Sequence, residues 1–330
     1  MLTKIHARLF LLSSILILCT IQFSACSPQL NTATELPPVV LDQPTDTAPS
    51  PGPLKIADGL DREITLDEPA QRVVSLAPSN TEILFAIGAG EQVLARDEFS
   101  DFPTQASDLP SVGGGFGDYN LEAIVALQPD LVLAAEINTP EQVKALEDLG
   151  LTVFFLPNPT SLEEMYQNLV TVAMLTGHSE DADELVEDLR DRVTKVEEEI
   201  HSSVDRPAVF YELDATDPSA PWTAGAGTFI NTLIVMAGGE NIASDLEGDY
   251  LQISVEELLV RDPQVILLGD AAYGVSPESV KERIGWSNIN ALSNDRIYSF
   301  DDNLVSRPGP RLVDGLEQLA MLIHPEVYQE

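Results

Sequence analysis

The hydrophobic pattern alternates between two kinds of segment along most of the chain. Short, nearly continuous apolar runs are typical of strands that are buried on both faces of a sheet. Between them lie longer segments whose apolar residues recur every three or four positions, as on one face of a helix. The predicted strands are Arg72–Leu76, Gln92–Ala95, Leu131–Ala135, Val153–Leu156, Val209–Leu213, Val265–Leu268 and Ile297–Phe300, with Ile64–Leu66 as a possible edge strand. This alternation indicates an α/β fold with mainly parallel sheets, in which ligands bind at the carboxyl ends of the strands.

One long amphipathic segment, Ser179–Ser203, divides these elements into two groups. Its apolar residues share one helical face and are Ala182, Leu185, Val186, Leu189, Val193, Val196 and Ile200. Such a helix is about 35 Å long, which is about the width of a small domain. The local pattern alone is equally typical of an ordinary surface helix, but the position between two similar halves favours a connecting helix.

The two halves contain an internal repeat. Glu122–Leu133 reads EAIVALQPDLVL and Glu256–Leu267 reads EELLVRDPQVIL, so each combines an apolar helix, a proline and a buried strand. Upstream, Glu82–Val93 matches Asn231–Ile242, and both helices end at glycine, as helix C-termini prefer. Chance similarity between such units is common, yet the preserved order predicts two similar lobes joined by the long helix.

The length and the composition suggest five segments. A chain of 330 residues exceeds one typical hydrophobic core, and two lobes of about 120 residues each would fit. We expect a signal peptide at 1–25, a proline-rich tether at 26–54, an N-terminal α/β lobe at 55–177, a connecting helix at 178–205 and a C-terminal α/β lobe at 206–330. Seven prolines between Ser27 and Pro53 predict an extended tether with no packed core.

The leader has the layout of a secretory signal. Lys4 and Arg8 precede the apolar run Leu9–Ile21, which is short for a transmembrane helix. Phe23-Ser24-Ala25-Cys26 resembles the lipobox of bacterial lipoproteins, although phenylalanine stands where leucine is usual. We therefore expect lipidation of Cys26 and an extracytoplasmic, membrane-anchored protein, either in a periplasm or on the outer face of the cytoplasmic membrane.

The charge and the motif content exclude several functions. The net charge is −37, so the surface would repel a phosphate backbone, and no nucleic-acid partner is expected. The four histidines lack the spacing of metal ligands, so we expect no metal site. The sequence contains no G-x-S-x-G, no P-loop and no H-E-x-x-H, and we expect no enzymatic activity and no cofactor.

The N-terminal half carries a more specific signal. RVVSLAPSNTEILFAIGAG, then SDFP, then a glycine-rich loop followed by NLEAIVALQPDLVLA, resembles the cobalamin/iron-siderophore class of periplasmic substrate-binding proteins of ABC importers, with the vitamin B12-binding branch as the most similar. The resemblance runs from about Arg72 to Leu322. It implies the class III periplasmic binding protein fold and a monomer that delivers a small-molecule ligand to an ABC permease and its ATPase. It also implies that the ligand, cobalamin or an iron chelate, binds between the lobes.

Several aromatic residues fall in loops at strand ends, where they would form an apolar wall for a large planar ligand. They are Phe99, Phe116, Tyr119, Trp222 and Tyr250. In the family that the chain resembles, aromatics corresponding to Phe99, Phe116, Trp222 and Tyr250 contact the corrinoid. Any one of them could instead pack only against the body of the protein.

The last predicted strand leads into a rigid loop with two arginines. Arg307 and Arg311 flank Pro308-Gly309-Pro310. We expect Arg307 to contact a polar group of the ligand and Asp302 to be a weaker candidate for the same role. Arg311 is expected to pair with Asp301 or Asp302.

Glu122 and Glu256 occupy equivalent places in the repeat, in the first turn of a helix behind Asn120 and Ser254. Stabilisation of the helix dipole would be a sufficient reason for both. The resemblance implies more, because one glutamate per lobe docks onto arginines of the permease in this family. For Ser254, Glu257 would complete a capping box.

The ligand class has alternatives at this stage. A corrinoid suits an aromatic-lined cleft with few charges, whereas an anionic iron(III)–siderophore or haem would demand more arginine. Only 15 basic residues remain once Lys4 and Arg8 leave with the leader, which favours the corrinoid. Less favoured alternatives are a tetrapyrrole-modifying enzyme and a purely structural surface protein.

Overall fold

The computed structural model describes residues 52–115, 117–201, 203 and 205–328. Two four-stranded parallel sheets organise these residues. The first of these residues form an antiparallel hairpin of β1 (Leu54–Ala57) and β2 (Glu63–Leu66). The leader, Cys26 and nearly all of the predicted tether lie outside the described residues.

The N-terminal lobe is built around the first parallel sheet. Its strands are β3 (Val73–Ser75), β4 (Val93–Arg96), β5 (Leu131–Ala135) and β6 (Val153–Leu156), in the spatial order β4-β3-β5-β6. Its helices are α1 (Pro78–Ala86), α2 (Thr104–Ser107), α3 (Leu121–Ala126), α4 (Pro140–Asp148) and α5 (Leu162–Thr176). Every residue of β5 and β6 is buried, because helices cover both faces of the sheet.

The connecting helix α6 (Ser179–His201) follows α5 after a turn at Gly177, whose positive φ of 84° favours glycine. The predicted apolar face is the one that packs, with Ala182, Leu189, Val196 and Ile200 buried. Arg190 pairs with Glu163 of α5, and Arg192 pairs with Asp314 and Glu317 of the C-terminal lobe. The helix therefore contacts both lobes along its length.

The C-terminal lobe repeats the architecture of the first. Its strands are β7 (Ala208–Glu212), β8 (Trp222–Ala224), β9 (Glu240–Asn241), β10 (Tyr250–Gln252), β11 (Val265–Leu268) and β12 (Ile297–Ser299). Its helices are α7 (Phe229–Met236), α8 (Val255–Arg261), α9 (Pro277–Lys281), α10 (Asn290–Ser293), α11 (Asn303–Ser306), α12 (Leu312–Ile323) and α13 (Pro325–Tyr328). The parallel sheet has the order β12-β11-β7-β9, and β8 pairs with β10 in a separate antiparallel ribbon.

The two sheets share one topology. In each lobe the first strand lies between the second and the third, and the fourth lies beyond the third. The order of strands therefore reverses between β3 and β5 in one lobe and between β7 and β11 in the other, and such switch points are where open α/β sheets bind ligands. This arrangement confirms the predicted fold of two similar α/β lobes joined by one long helix.

One hydrophobic cluster links the lobes through the connecting helix. It includes Ile83 of α1, Leu169 of α5, Leu189 of α6, Leu233 of α7 and Leu316 of α12. Two smaller clusters cover the outer faces of the sheets. Because the core continues through α6, a change in the angle between the lobes would disturb close packing, which indicates a small closing motion.

The capping box predicted at α8 is only half formed. The Ser254 hydroxyl accepts a hydrogen bond from the Glu257 amide at 3.2 Å, as an N-cap should. The Glu257 carboxylate, however, binds Arg261 Nε at 2.7 Å, one turn further along the helix. The prediction was therefore wrong for Glu257, because the charged partner on its own helix replaces the backbone amide.

Candidate functional site

An interlobe cleft lies where loops from the carboxyl ends of both sheets meet. One cavity of about 320 Å³ is lined from the N-terminal lobe by Glu136, Asn158, Pro159 and Thr160, and from the C-terminal lobe by residues that include Phe229, Asp249, Tyr250, Ser306 and Pro308. A second cavity of about 240 Å³ shares Asn158, Ser306 and Pro308, and extends to Ser79, Ile137 and Arg307. We call these two adjoining cavities the interlobe cleft.

The antiparallel ribbon presents two aromatic side chains on one face. Trp222 lies opposite Gln252, and Tyr250 lies opposite Ala224, so both aromatics are on the same side of the β8–β10 pair. Their exposed fractions are 43% and 61%. Tyr250 lines the larger cavity, so this face of the ribbon borders the cleft. The structure thus brings Trp222 and Tyr250 together as an exposed aromatic surface.

The N-terminal aromatics are held more tightly. The Phe99 side chain is half-buried and packs against Gly115, where an added Cβ would lie 3.3 Å from the tip of the ring. The Tyr119 hydroxyl donates to the Leu76 carbonyl at 2.9 Å and accepts from Asn138 Nδ2 at 2.6 Å. Phe116 lies outside the described residues. Phe99, Phe116 and Tyr119 remain predicted ligand contacts.

Tyr119 fills the point where the strand order of the N-terminal sheet reverses. Leu76 follows β3, and Asn138 lies in the turn after β5, so the phenol bridges the ends of these two neighbouring strands. Burial, followed by the nearby charge of Asp97, raises the pKa of Tyr119 to about 12. The hydroxyl is therefore a neutral donor and acceptor that holds the two loops together.

The two arginines of the last loop cross to the opposite lobe. Arg311 forms a bidentate ion pair with Glu82 of α1, with Nε–Oε2 and Nη2–Oε1 distances of 2.8 and 2.5 Å. Arg307 Nη1 binds Glu82 Oε1 at 3.0 Å and Asp101 Oδ1 at 2.7 Å. We call these four residues the Glu82 cluster. The prediction that Arg311 pairs with Asp301 or Asp302 was wrong, because a buried carboxylate on the other lobe satisfies both arginines.

Three members of the Glu82 cluster are largely shielded from solvent, whereas Asp101 lies at its exposed edge. Glu82 is 2% exposed, and the side chains of both arginines are 12% exposed. Burial disfavours the charged form of Arg307, but hydrogen bonds to Asp101 and Glu82 raise its pKa overall. Arg307 also lines the smaller cavity of the cleft, so it remains a predicted ligand contact whose charge is already compensated.

Asp302 follows β12 and is bound by a buried tyrosine of β7. Its Oδ1 accepts a hydrogen bond from the Tyr211 hydroxyl at 2.8 Å, and the Tyr211 ring is fully buried against Phe300. Burial raises the pKa of the Asp302 carboxyl. Burial, Asp302 and Asp249 together raise the pKa of Tyr250. Asp302 is therefore held by a buried side chain of the C-terminal sheet, and its direct contact with a ligand remains a prediction.

The residues that line the interlobe cleft carry little positive charge. Among the described residues that line the two cavities, Glu136 and Asp249 are acidic and Arg307 is the single cation. Because Glu82 and Asp101 neutralise Arg307, the electrostatic potential in the cleft favours a neutral or cationic ligand. Within the described ranges, no group of three or more histidine, cysteine or acidic side chains is arranged to hold a metal ion.

Glu122 and Glu256 lie on the surface at matching corners of the two lobes. Each is exposed in the first turn of its helix, α3 or α8, behind an N-cap that receives a backbone hydrogen bond. Neither carboxylate forms an ion pair with another described residue. Their docking onto a permease stays a prediction. The residues that carry the predicted lipid anchor lie outside the described chain, and none of the described helices has the length and apolar content that a membrane span needs.

The sequence analysis missed the buried carboxylate that holds Arg307 at the cleft. Glu82 follows Ser79-Asn80-Thr81 and directly precedes the apolar half of α1, and a carboxylate that is buried at such a position needs a buried partner. It also missed the loop Asn158–Thr160, which closes one wall of the larger cavity and contains no charged or aromatic residue to attract attention.

Comparisons with known proteins agree with this geometry. The model of the family described as periplasmic binding protein matches residues 73–304. A Bacillus subtilis protein named as an uncharacterized ABC transporter substrate-binding lipoprotein, YvrC, is 32% identical over 283 residues, which cover 84% of this chain and 88% of that protein.

Two solved structures are also similar. The periplasmic vitamin B12-binding protein BtuF of Vibrio cholerae has a TM-score of 0.66 and 29% identity, over 79% of this chain and 99% of that one. The apo form of the periplasmic heme-binding protein RhuT of Roseiflexus sp. RS-1 has a TM-score of 0.70 and 26% identity, over 78% of this chain and 99% of that one. These findings confirm the resemblance that the motifs indicate, and they compare the chain with binding proteins and not with enzymes. The chain therefore belongs to the periplasmic binding protein family and is a substrate-binding protein of an ABC importer.

Proposed function

We propose that this protein captures a cobalamin or a related corrinoid in the interlobe cleft and delivers it to an ABC permease. The observation that carries the proposal is the exposed Trp222–Tyr250 surface beside a cleft without uncompensated positive charge. A corrin ring offers a large apolar face for aromatic contacts, and its rim of amides needs neutral hydrogen-bond partners. The Asn158 and Ser306 side chains lie in both cavities and are partners of that kind.

Haem is the second candidate, because RhuT is named as a heme-binding protein and Tyr250 is an exposed phenol. Iron ligation by tyrosine needs the phenolate. Burial, followed by the charges of Asp302 and Asp249, raises the pKa of Tyr250, which opposes that form. The two propionates of haem would also meet Glu136 and Asp249 in the cleft. These charges favour the corrinoid, as does the relative named as a vitamin B12-binding protein.

Anionic iron(III)–siderophores meet the same obstacle. They are bound through charge complementarity, and Arg307 is already paired with two carboxylates. To bind such a chelate, the protein would have to break part of the Glu82 cluster. This cost supports the ranking of a corrinoid above a ferric chelate.

The deciding experiment is a calorimetric titration of the purified full chain with cyanocobalamin, haemin and ferric hydroxamate and catecholate chelates. We expect one saturable site for cyanocobalamin and weaker or no binding of the iron compounds. Saturable binding of haemin or a ferric chelate, with none of cyanocobalamin, would overturn the choice of ligand while leaving the family assignment intact.

We further propose that the protein is held at the membrane as a monomer by a lipid on Cys26, with the proline-rich segment after it as a spacer. The similar B. subtilis protein is named as a lipoprotein, and the leader has the order of charged, apolar and small residues that precedes a lipidated cysteine. Metabolic labelling with an alkyne fatty acid should mark the wild type and not Cys26→Ser. Light scattering of the purified protein in detergent should give a protein mass of one chain per particle.

A further inference from the structure

The C-terminal lobe contains a cavity that is separate in lining from the interlobe cleft. It has a volume of about 360 Å³ and lies where the strand order of that sheet reverses, at the ends of β7 and β11. Leu213, Asp214 and Thr216 line it from the loop after β7, and Asp270, Tyr273 and Val275 line it from the segment after β11. The corresponding place in the N-terminal lobe is filled by Tyr119. The cavity is thus an open position at a point where this fold commonly binds ligands.

A buried carboxylate is among the side chains that line this cavity, and one of its oxygens has no partner within the described part of the chain. Asp270 is 4% exposed, and its Oδ2 accepts a hydrogen bond from the Ala215 amide at 3.2 Å. Its Oδ1 has no hydrogen-bond partner within the described part of the chain. A buried acceptor without a partner costs free energy, and a charged one costs more. A ligand that donates to Oδ1 would remove that cost.

Arg283, the cation whose charge acts on Asp270, is paired with another carboxylate. Arg283 binds both oxygens of the fully buried Glu212, with an Nη2–Oε1 distance of 2.8 Å, and its guanidinium lies 4.6 Å from the centre of the Trp286 ring. Glu212, Asp270 and Arg283 therefore carry a net negative charge when ionised. Burial, followed by the charge of Glu212, raises the pKa of Asp270 to about 6. At pH 8 the carboxylate is ionised and uncompensated.

The residues that line the cavity indicate which kind of ligand could bind there. The Tyr273 ring, which is 90% exposed, can cover a cation, and Leu213 and Val275 can cover a short apolar chain. The Asp214 side chain adds a second carboxylate, although its Oδ1 already accepts from the Thr216 amide at 2.6 Å. Ca²⁺ takes six to eight oxygens and Mg²⁺ takes six, which is more than the two carboxylates of this lining supply, and the lining has no histidine or cysteine for zinc. An ammonium group needs fewer acceptors and an apolar surround.

We propose that this cavity is a binding site for a small organic amine, whose ammonium group donates a hydrogen bond to Asp270 Oδ1. The occupant is a free amine with a short apolar chain. The site belongs to the C-terminal lobe alone and does not depend on which ligand the interlobe cleft takes.

The test is an NMR titration of the purified, ¹⁵N-labelled full chain with n-butylammonium chloride at pH 8. We expect saturable shifts of the Ala215 and Thr216 amides, and none with equal concentrations of 1-butanol or calcium chloride. Asp270→Asn should weaken binding about tenfold or more, because it removes the charge from the hydrogen-bond acceptor. The matched control is Asp217→Asn, an exposed carboxylate of the same loop whose partner is Ser219 outside the cavity. It should bind n-butylammonium like the wild type.

A second variant keeps the proposal falsifiable if Asp270→Asn does not fold. Tyr273→Ala removes a side chain that is 90% exposed, so it should not disturb the core. It should weaken binding about two- to fivefold through the loss of the cation–π contact. The proposal fails if n-butylammonium gives no saturable shift, if 1-butanol or calcium gives the same shifts, or if a folded variant at either position keeps the wild-type affinity.

Discussion

Glu82 and Arg311 form a bidentate ion pair between the two lobes, with the Arg311 guanidinium 3.9 Å from the centre of the Phe102 ring. The residues are 229 positions apart, and Arg307 shares the same carboxylate. A single buried acid on α1 thus holds the loop that leads into α12. Since α6 already joins the lobes through a continuous core, the pair adds a second, polar connection at the edge of the cleft.

Loss of the Glu82 charge should therefore loosen the lobes. Glu82→Gln leaves two buried guanidinium groups facing a neutral amide, and breaking a buried ion pair typically costs about 3–5 kcal/mol. We expect a fall of about 2–4 kcal/mol in the free energy of unfolding, because Asp101 still binds Arg307. We also expect a larger radius of gyration by small-angle X-ray scattering without ligand.

The matched control is Glu91→Gln, an exposed glutamate in the same lobe, which should change neither measurement. If Glu82→Gln left both the unfolding free energy and the scattering curve at the wild-type values, the Glu82 cluster would have no part in holding the lobes.

The aromatic ribbon should supply much of the ligand affinity. Trp222→Ala and Tyr250→Ala each remove a large exposed ring from the face that borders the cleft. We expect each to weaken cyanocobalamin binding about 10- to 30-fold, as for aromatic residues at the centre of an interface. Calorimetric titration measures the change, and thermal unfolding checks the fold.

Ile284→Ala is the control for the ribbon variants. Its side chain is 98% exposed and lies outside the linings of both cleft cavities, so its loss should leave the affinity unchanged. Wild-type affinity in both aromatic variants would place the ligand elsewhere on the protein.

The sequence predicted the lobes and the connecting helix because these depend on local patterns. Apolar runs identify the buried strands, and the three- and four-residue spacing identifies the helical face that α6 buries. The β8–β10 ribbon was not predicted as a pair. Its strands are three residues long, carry exposed aromatics and polar residues, and pair across an intervening helix. Nothing in such short segments specifies the partner strand.

The site could be predicted only in part, for a similar reason. Trp222 and Tyr250 were predicted as loop aromatics at strand ends, whereas the structure places them in β8 and β10, and their contact with a ligand stays a prediction. Arg311 was assigned to the acids nearest in sequence, whereas its partner Glu82 lies in the other lobe. Asp270 gave no signal, since one aspartate after a strand is common and only the fold shows that its oxygen is buried.

The exposed carboxylates Glu122 and Glu256 should serve transport and not ligand binding. Both lie in first turns of helices at equivalent corners, and the permease is expected to present arginines to them. Glu122→Arg with Glu256→Arg should abolish uptake of labelled cyanocobalamin by cells that lack the wild-type protein. The affinity of the purified double variant for cyanocobalamin should stay within about twofold.

Glu141→Arg provides a control with the same local chemistry. Glu141 is an exposed glutamate in the first turn of α4, behind the N-cap Thr139, so its reversal has the same cost to the helix dipole. Uptake should be normal in this variant. Normal uptake in the double variant as well would show that Glu122 and Glu256 serve only their own helices.

Asp270 should make the folded protein less stable as the pH rises. The pKa is about 6 in the folded state and about 3.9 in an unfolded chain, so the folded state binds the proton more tightly. The contribution of Asp270 to the free energy of unfolding is therefore fully present below about pH 4. It is lost between about pH 4 and about pH 6, and it is absent at higher pH. Asp270→Asn removes that loss, and should raise the free energy of unfolding by about 1–3 kcal/mol at pH 8 and by almost nothing at pH 4.

Chemical denaturation at both pH values, without added amines, measures this difference between Asp270→Asn and the wild type. Asp217→Asn should behave in the opposite sense, because hydrogen bonds from Ser219 lower the pKa of Asp217 and so stabilise the folded state above the unfolded pKa. A variant at Asp270 that is less stable than the wild type at pH 8 would mean that the ionised carboxylate has a partner in solution. Such a result would contradict the unpaired Oδ1 on which the amine site depends.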